Sequence, residues 1–97
     1  MGRFEVNRKE THGEFPLSEI FRGLEHAKVI QSMFGGRDAA TKVLSGARVR
    51  LDDSAEYMYV DDTDGTIVVS GKYLQSASES LLYLDIIHEL VHVRQYR

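Results

Sequence analysis

Residues 88–92 read His-Glu-Leu-Val-His. On an α-helix four residues turn through about 400°, so His88 and His92 project from nearly the same face, one turn apart. Two neutral imidazoles held in this way can grip a single Zn²⁺ at about 2.0–2.1 Å. Glu89 stands about 100° further round the helix. From there its carboxylate addresses a metal-bound water rather than the metal, which is what a general base for hydrolysis needs. Three fixed positions make a short motif, and unrelated helices match it by chance. The competing interpretation is a pair of core histidines bonded to carbonyls or carboxylates, with Glu89 at a solvated edge.

The neighbouring residues favour the metal. Ile86, Ile87, Leu90, Val91 and Val93 are apolar where a surface helix would carry charge. On a helical wheel Leu81, Leu84, Asp85, His92 and Gln95 fall within about 60° of His88, and Tyr83, Ile86, Leu90 and Val93 lie opposite. A helix apolar nearly all round is expected to be buried. Two buried imidazoles need partners for their ring nitrogens, and one ion serves both.

His88-Glu89-Leu90-Val91-His92 resembles the active-site helix of the zincin metallopeptidases. The longer stretch, from Asp64-Gly65-Thr66-Ile67-Val68-Val69 to His92-Val93-Arg94-Gln95, resembles small, gluzincin-like domains in which a short strand precedes a helix bearing His-Glu-Leu-x-His-Val-x-Gln. The resemblance covers the last third of the chain. It implies that His88 and His92 are zinc ligands, that Glu89 is the catalytic base, and that the edge strand of a sheet borders the cleft for a peptide or protein substrate. Thr66 to Ser70 is the expected edge, with Thr66, Val68 and Ser70 as substrate-binding positions where a peptide adds as an extra strand. The other reading of these residues is an ordinary internal strand.

The chain departs from the family pattern at Asp85 and Arg94, where the generic helix prefers uncharged residues. The third ligand is also not evident. Gln95 stands where the metzincin extension has Gly, Arg97 precedes the place of its third His, and no following helix brings the Glu of a gluzincin. The expectation is therefore a fragment, or a minimal domain incomplete after the active-site helix. His12 and His26 are the only other histidines. Each reads more simply as an exposed side chain than as the third ligand. Asp85 can orient a ligand histidine, but an ion pair with Arg48, Arg50 or Arg94 is the plainer expectation. Tyr73, Tyr83 and Tyr96 are candidate phenols for an oxyanion, with packing as the default, and Gln95 can line the pocket. Asp61, Asp62 and Asp64 suggest a calcium loop, but Val60 occupies its first ligand position and no Glu closes it, so a solvated turn is expected.

These residues need elements to position them. Residues 1–16 read as a flexible arm in which Phe4 and Val6 form at most a short strand. Leu17, Ile20, Phe21, Leu24, Ala27, Ile30 and Phe34 have core-stripe spacing and predict a helix from Ser18 to Phe34, ended by Gly35-Gly36. Asp38 caps a second helix through Leu44. Three strands follow, at Arg48–Leu51, Tyr57–Val60 and Thr66–Ser70, with a hairpin loop at 61–65. Ser76 and Glu79 have capping-box spacing for a helix that runs to the end of the chain. The expected fold is α+β and zincin-like: N-terminal helices, a three-stranded, mainly antiparallel sheet and a C-terminal active-site helix, with the core spanning 17–97.

Composition narrows the function. Ninety-seven residues make one domain. No run of eighteen apolar residues and no charged-then-apolar leader is read. Cysteine is absent, which fits a reducing cytoplasm and excludes thiolate ligands. A net charge of −3 offers no field for nucleic acid or an anionic membrane surface. The expected function is zinc-dependent peptide hydrolysis. The rival is a non-catalytic metal-binding or protein-interaction domain on the same scaffold, its metal closed by four protein ligands. A further expectation is a homodimer formed through an exposed final helix.

Overall fold

The computed structural model describes residues 4–96, with the backbone alone for Gln95 and Tyr96. In chain order the elements are β1 (Glu5–Val6), β2 (Gly13–Pro16), α1 (Leu17–Ile20), β3 (Phe21–Arg22), a 3₁₀ turn (Leu24–His26), α2 (Lys28–Phe34), α3 (Arg37–Gly46), β4 (Arg48–Leu51), β5 (Met58–Val60), β6 (Ile67–Val69), α4 (Gly71–Ser76) and α5 (Glu79–Tyr96). The class is α+β, as expected.

The sheet is mainly antiparallel, as expected, but differs from the expected three strands. It has four strands in the order β2-β4-β6-β5, and a separate two-stranded ribbon joins β1 to β3. β4 and β6 run parallel, pairing Val49 with Ile67 and Leu51 with Val69, while both outer pairs are antiparallel. Ile67, Val68 and Val69 are all buried. An uninterrupted apolar run of this kind is stable only where both faces are covered, which is the centre of a sheet. β6 therefore enters between β4 and β5, and the β5–β6 hairpin turns outward through 61–66.

The helix predicted over Ser18–Phe34 is broken. Gly23 takes φ 91°, a left-handed conformation that glycine adopts without strain. Just before it, Phe21 and Arg22 pair with Val6 and Glu5. Residues assigned to an arm are thus tied down over their described part. β2 extends the sheet at β4. Arg8 donates to the Leu74 carbonyl at 2.6 Å, and the Gln75 amide donates to the carbonyls of Arg8 and Glu10. Gly71 makes this approach possible, since a Cβ there would lie 2.5 Å from the Thr11 carbonyl oxygen.

The C-terminal helical region also starts differently. Ser76 closes α4, its hydroxyl bonded to the Lys72 carbonyl. Ser78 is the residue that caps α5, accepting from the Leu81 N–H at 3.1 Å. α5 then contributes Leu82, Ile86, Leu90 and Val93 to one core with Leu17, Ile20, Phe21, Ile30, Val49, Ile67 and Val69. Among the described residues no helix is long and apolar enough to cross a membrane.

Candidate metal centre

The i, i+4, i+8, i+11 spacing of Leu82, Ile86, Leu90 and Val93 turns one face of α5 into the core, each side chain 0–1% exposed. The opposite face is open. Leu81 is 45% and Leu84 64% exposed, and His88 and His92 are exposed beside them. This corrects the expectation of a helix buried all round: its surface face carries leucines rather than charges, which hides its amphipathic character. The imidazoles reach solvent, so the cost of burying them supplies no argument for a metal.

Geometry supplies a better one. The Nε2 atoms of His88 and His92 lie 3.3 Å apart. The rings are 4.8 Å apart and nearly perpendicular, at 84°. Two nitrogens bound to one tetrahedral zinc at about 2.0–2.1 Å stand about 3.3–3.4 Å from each other. The spacing of the pair therefore matches two vertices of such a site on an exposed face. A ring-to-ring hydrogen bond has a similar span.

Glu89 is 8% exposed. Among the described residues its carboxylate has no hydrogen bond or ion pair, and its oxygens are not sealed from solvent. Burial holds its carboxyl above the usual range; charge on His88 and His92 pulls it back, and Asp85 pushes it further up. Asp85 forms none of the expected arginine pairs. It accepts a hydrogen bond from the Tyr73 hydroxyl, and Tyr73 packs edge-on against Tyr57 with centroids 5.2 Å apart. Burial first, and then Asp85, push the Tyr73 phenol well above its ordinary value. Its proton is committed to Asp85 rather than offered to an oxyanion. Tyr83 packs edge-on against Phe4. The Gln95 and Tyr96 side chains lie outside the described residues.

Among the described residues no third ligand joins the pair. His12 is exposed, 3.1 Å from the Thr11 hydroxyl, and His26 is exposed beside Glu25 at 3.5 Å. Among the described residues no group of three His, Cys, Asp or Glu side chains is placed to hold a metal ion. The acidic loop is a turn, as expected: Asp61 accepts from the Thr63 N–H and hydroxyl, and Asp64 from the Thr66 N–H.

The substrate positions Thr66, Val68 and Ser70 need correction. All three are buried, and β6 is paired on both sides. No row of backbone groups is left there for an added strand, and the Ser70 hydroxyl is occupied in capping α4. The edge strands are β2 and β5, and β5 packs against α5. The Ser70 N–H donates to the Tyr57 carbonyl and the Asp61 N–H to the Thr66 carbonyl, each at 2.8 Å. Antiparallel bonding alternates, so Tyr57, Tyr59 and Asp61 bond inward to β6 while the backbone of Met58 and Val60 faces outward. Tyr57 and Tyr59 alternating with half-buried Met58 and Val60 marked β5 as an edge, a signal that the resemblance to a strand-then-helix pattern overrode. A groove of about 660 Å³, lined by Phe4, Ala27, Lys28, Glu79, Tyr83 and Leu84 among others, opens one turn before His88.

Comparison with protein-family models, curated proteins and solved structures returns no match to this chain.

Proposed function

We propose that this chain forms the zinc-binding core of a zincin-like metallopeptidase. The observation that carries the reading is the 3.3 Å separation of the His88 and His92 nitrogens on an open helix face, with buried Glu89 next in sequence. His88 and His92 would hold the ion. Zinc, when bound, supplies Lewis acidity towards a carbonyl and acidifies water. Glu89 takes a proton from the attacking water and returns it to the leaving amine. Its burial suits that task, because a carboxylate held above its usual range is the stronger base near neutral pH. The edge-strand role that the resemblance assigns belongs on β5, where the outward N–H and C=O groups of Met58 and Val60 would hold an extended peptide.

One observation favours the non-catalytic alternative: two ligands, not three, come together among the described residues. The two readings separate on Glu89→Gln. The peptidase reading expects zinc content to be retained while hydrolysis of an unfolded protein substrate falls by roughly 10²–10⁴-fold, the usual worth of a general base. Undiminished hydrolysis would remove Glu89 from the mechanism. Zinc uptake with no hydrolysis by the unaltered chain would leave the binding-domain reading.

A further inference from the structure

We infer that a second copy of this chain completes the metal centre, one zinc ion being held by His88 and His92 of each of two copies related by a two-fold axis. The inference rests on the zinc reading of these histidines and adds the source of the remaining ligands.

The argument starts from what the outer face of α5 offers. Its two imidazoles already have the spacing of adjacent tetrahedral vertices and point away from the core. Among the described residues nothing on the same chain brings a third donor to them. An exposed two-ligand half-site is self-complementary under two-fold symmetry: the same patch meets itself, and two donors become four. Four imidazoles saturate a tetrahedral zinc.

The surroundings of the half-site fit this occupant. Leu81 and Leu84 lie on the same face as the histidines, two turns and one turn before His88, and are among the most exposed large apolar side chains of the described residues. Two exposed leucines in line with a ligand pair cost solvation in a lone chain and are covered by the contact that joins the ligands. Each copy carries a net −3, and Asp85 sits one turn before His88. Two such copies repel, and a divalent cation at their seam offsets part of that repulsion.

The shared site has a functional consequence. With four protein ligands it has no position left for water, so the dimer is a closed, resting form. Hydrolysis belongs to the single chain, in which β5 and the histidine pair are open to a peptide.

The test is sedimentation equilibrium on the chain while Zn²⁺ is titrated from zero, with zinc content measured on each species. The expected result is a monomer in EDTA and a dimer containing one zinc per two chains. His92→Ala should remove the zinc dependence. Leu84→Glu should weaken the dimer tenfold or more, yet still bind zinc. Circular dichroism on both variants establishes that they are folded, as expected for exposed positions. A chain that stays monomeric up to the highest protein concentration while binding one zinc each overturns the shared site and leaves the proposed function standing. A dimer that persists in EDTA, or one with a zinc for every chain, also overturns it. Failure to take up zinc at all overturns both readings.

Discussion

On the sheet, Arg50 lies among Glu14, Asp61 and Asp64 with contacts of 3.3–3.4 Å. On α5, Glu89 is buried beside two imidazoles, and among the described residues nothing pairs with its carboxylate. The pKa values diverge accordingly. Bonds from Thr63, and then Arg50, hold the Asp61 carboxyl below its usual range, whereas burial holds Glu89 above it. Charges that answer one another fasten a loop to a strand. A carboxyl partly withdrawn from water, with only the neighbouring imidazoles to offset it, stays neutral to a higher pH than one bonded on several sides.

Substitutions can break this contrast or sharpen it. The largest effect is expected in catalysis: in zinc-loaded protein diluted until it is monomeric, Glu89→Gln lowers peptide hydrolysis by roughly 10²–10⁴-fold, while Arg50→Met leaves it unchanged, both read from turnover of a fluorogenic peptide. Next comes the core beneath the site. Leu90→Ala on the inner face should cost about 2–5 kcal/mol in urea unfolding, whereas His88→Ala on the outer face should stay within about 0.5 kcal/mol in metal-free protein. A His88→Ala variant as unstable as Leu90→Ala would mean the outer face belongs to the fold. Tyr73→Phe, which removes one half-buried hydrogen bond to Asp85, should cost about 1 kcal/mol. The smallest effect is a pH dependence of opposite sign in the two regions. For Glu89, whose folded value is raised, the contribution to stability is complete below the ordinary carboxylate range and is lost as pH rises through the raised value. For Asp61, whose folded value is lowered, it is complete above that range and is lost as pH falls through the lowered value. Thermal unfolding of metal-free protein across pH should therefore show Glu89→Gln removing a loss of stability that begins as pH rises out of the ordinary carboxylate range, and Asp61→Asn removing one that begins as pH falls through it. Identical profiles for the two variants would dissolve the distinction.

Local signals were legible where they were strong. The strand Arg48–Leu51 lies where alternation put it, and the hairpin between β5 and β6 turns through the Asp-rich loop as the turn residues required. His88 and His92 share a face because helical pitch alone decides it. Harder to see was Gly23 as a break, because the apolar stripe continues through it and only the pairing of Phe21–Arg22 with β1 gives the break a purpose. The exposure of α5's outer face was hidden for a similar reason. Leu81 and Leu84 look like core residues until the opposite face is seen to fill the core.

The order of strands was the costliest to miss. Placing β6 at an edge assigned Thr66, Val68 and Ser70 to substrate, yet a strand's neighbours depend on which distant segment pairs with it, here β4 and residues 58–60. What the amino-acid order determined unaided is short-range: turn chemistry, the period of apolar residues and the one-turn spacing of two histidines, all set within a few covalent links. What only tertiary structure decided is which face of α5 meets water, which strand lies inside the sheet, and how far Glu89 is withdrawn from water. Those depend on contacts between segments far apart in the chain, where burial and pairing are competed for by the whole molecule at once.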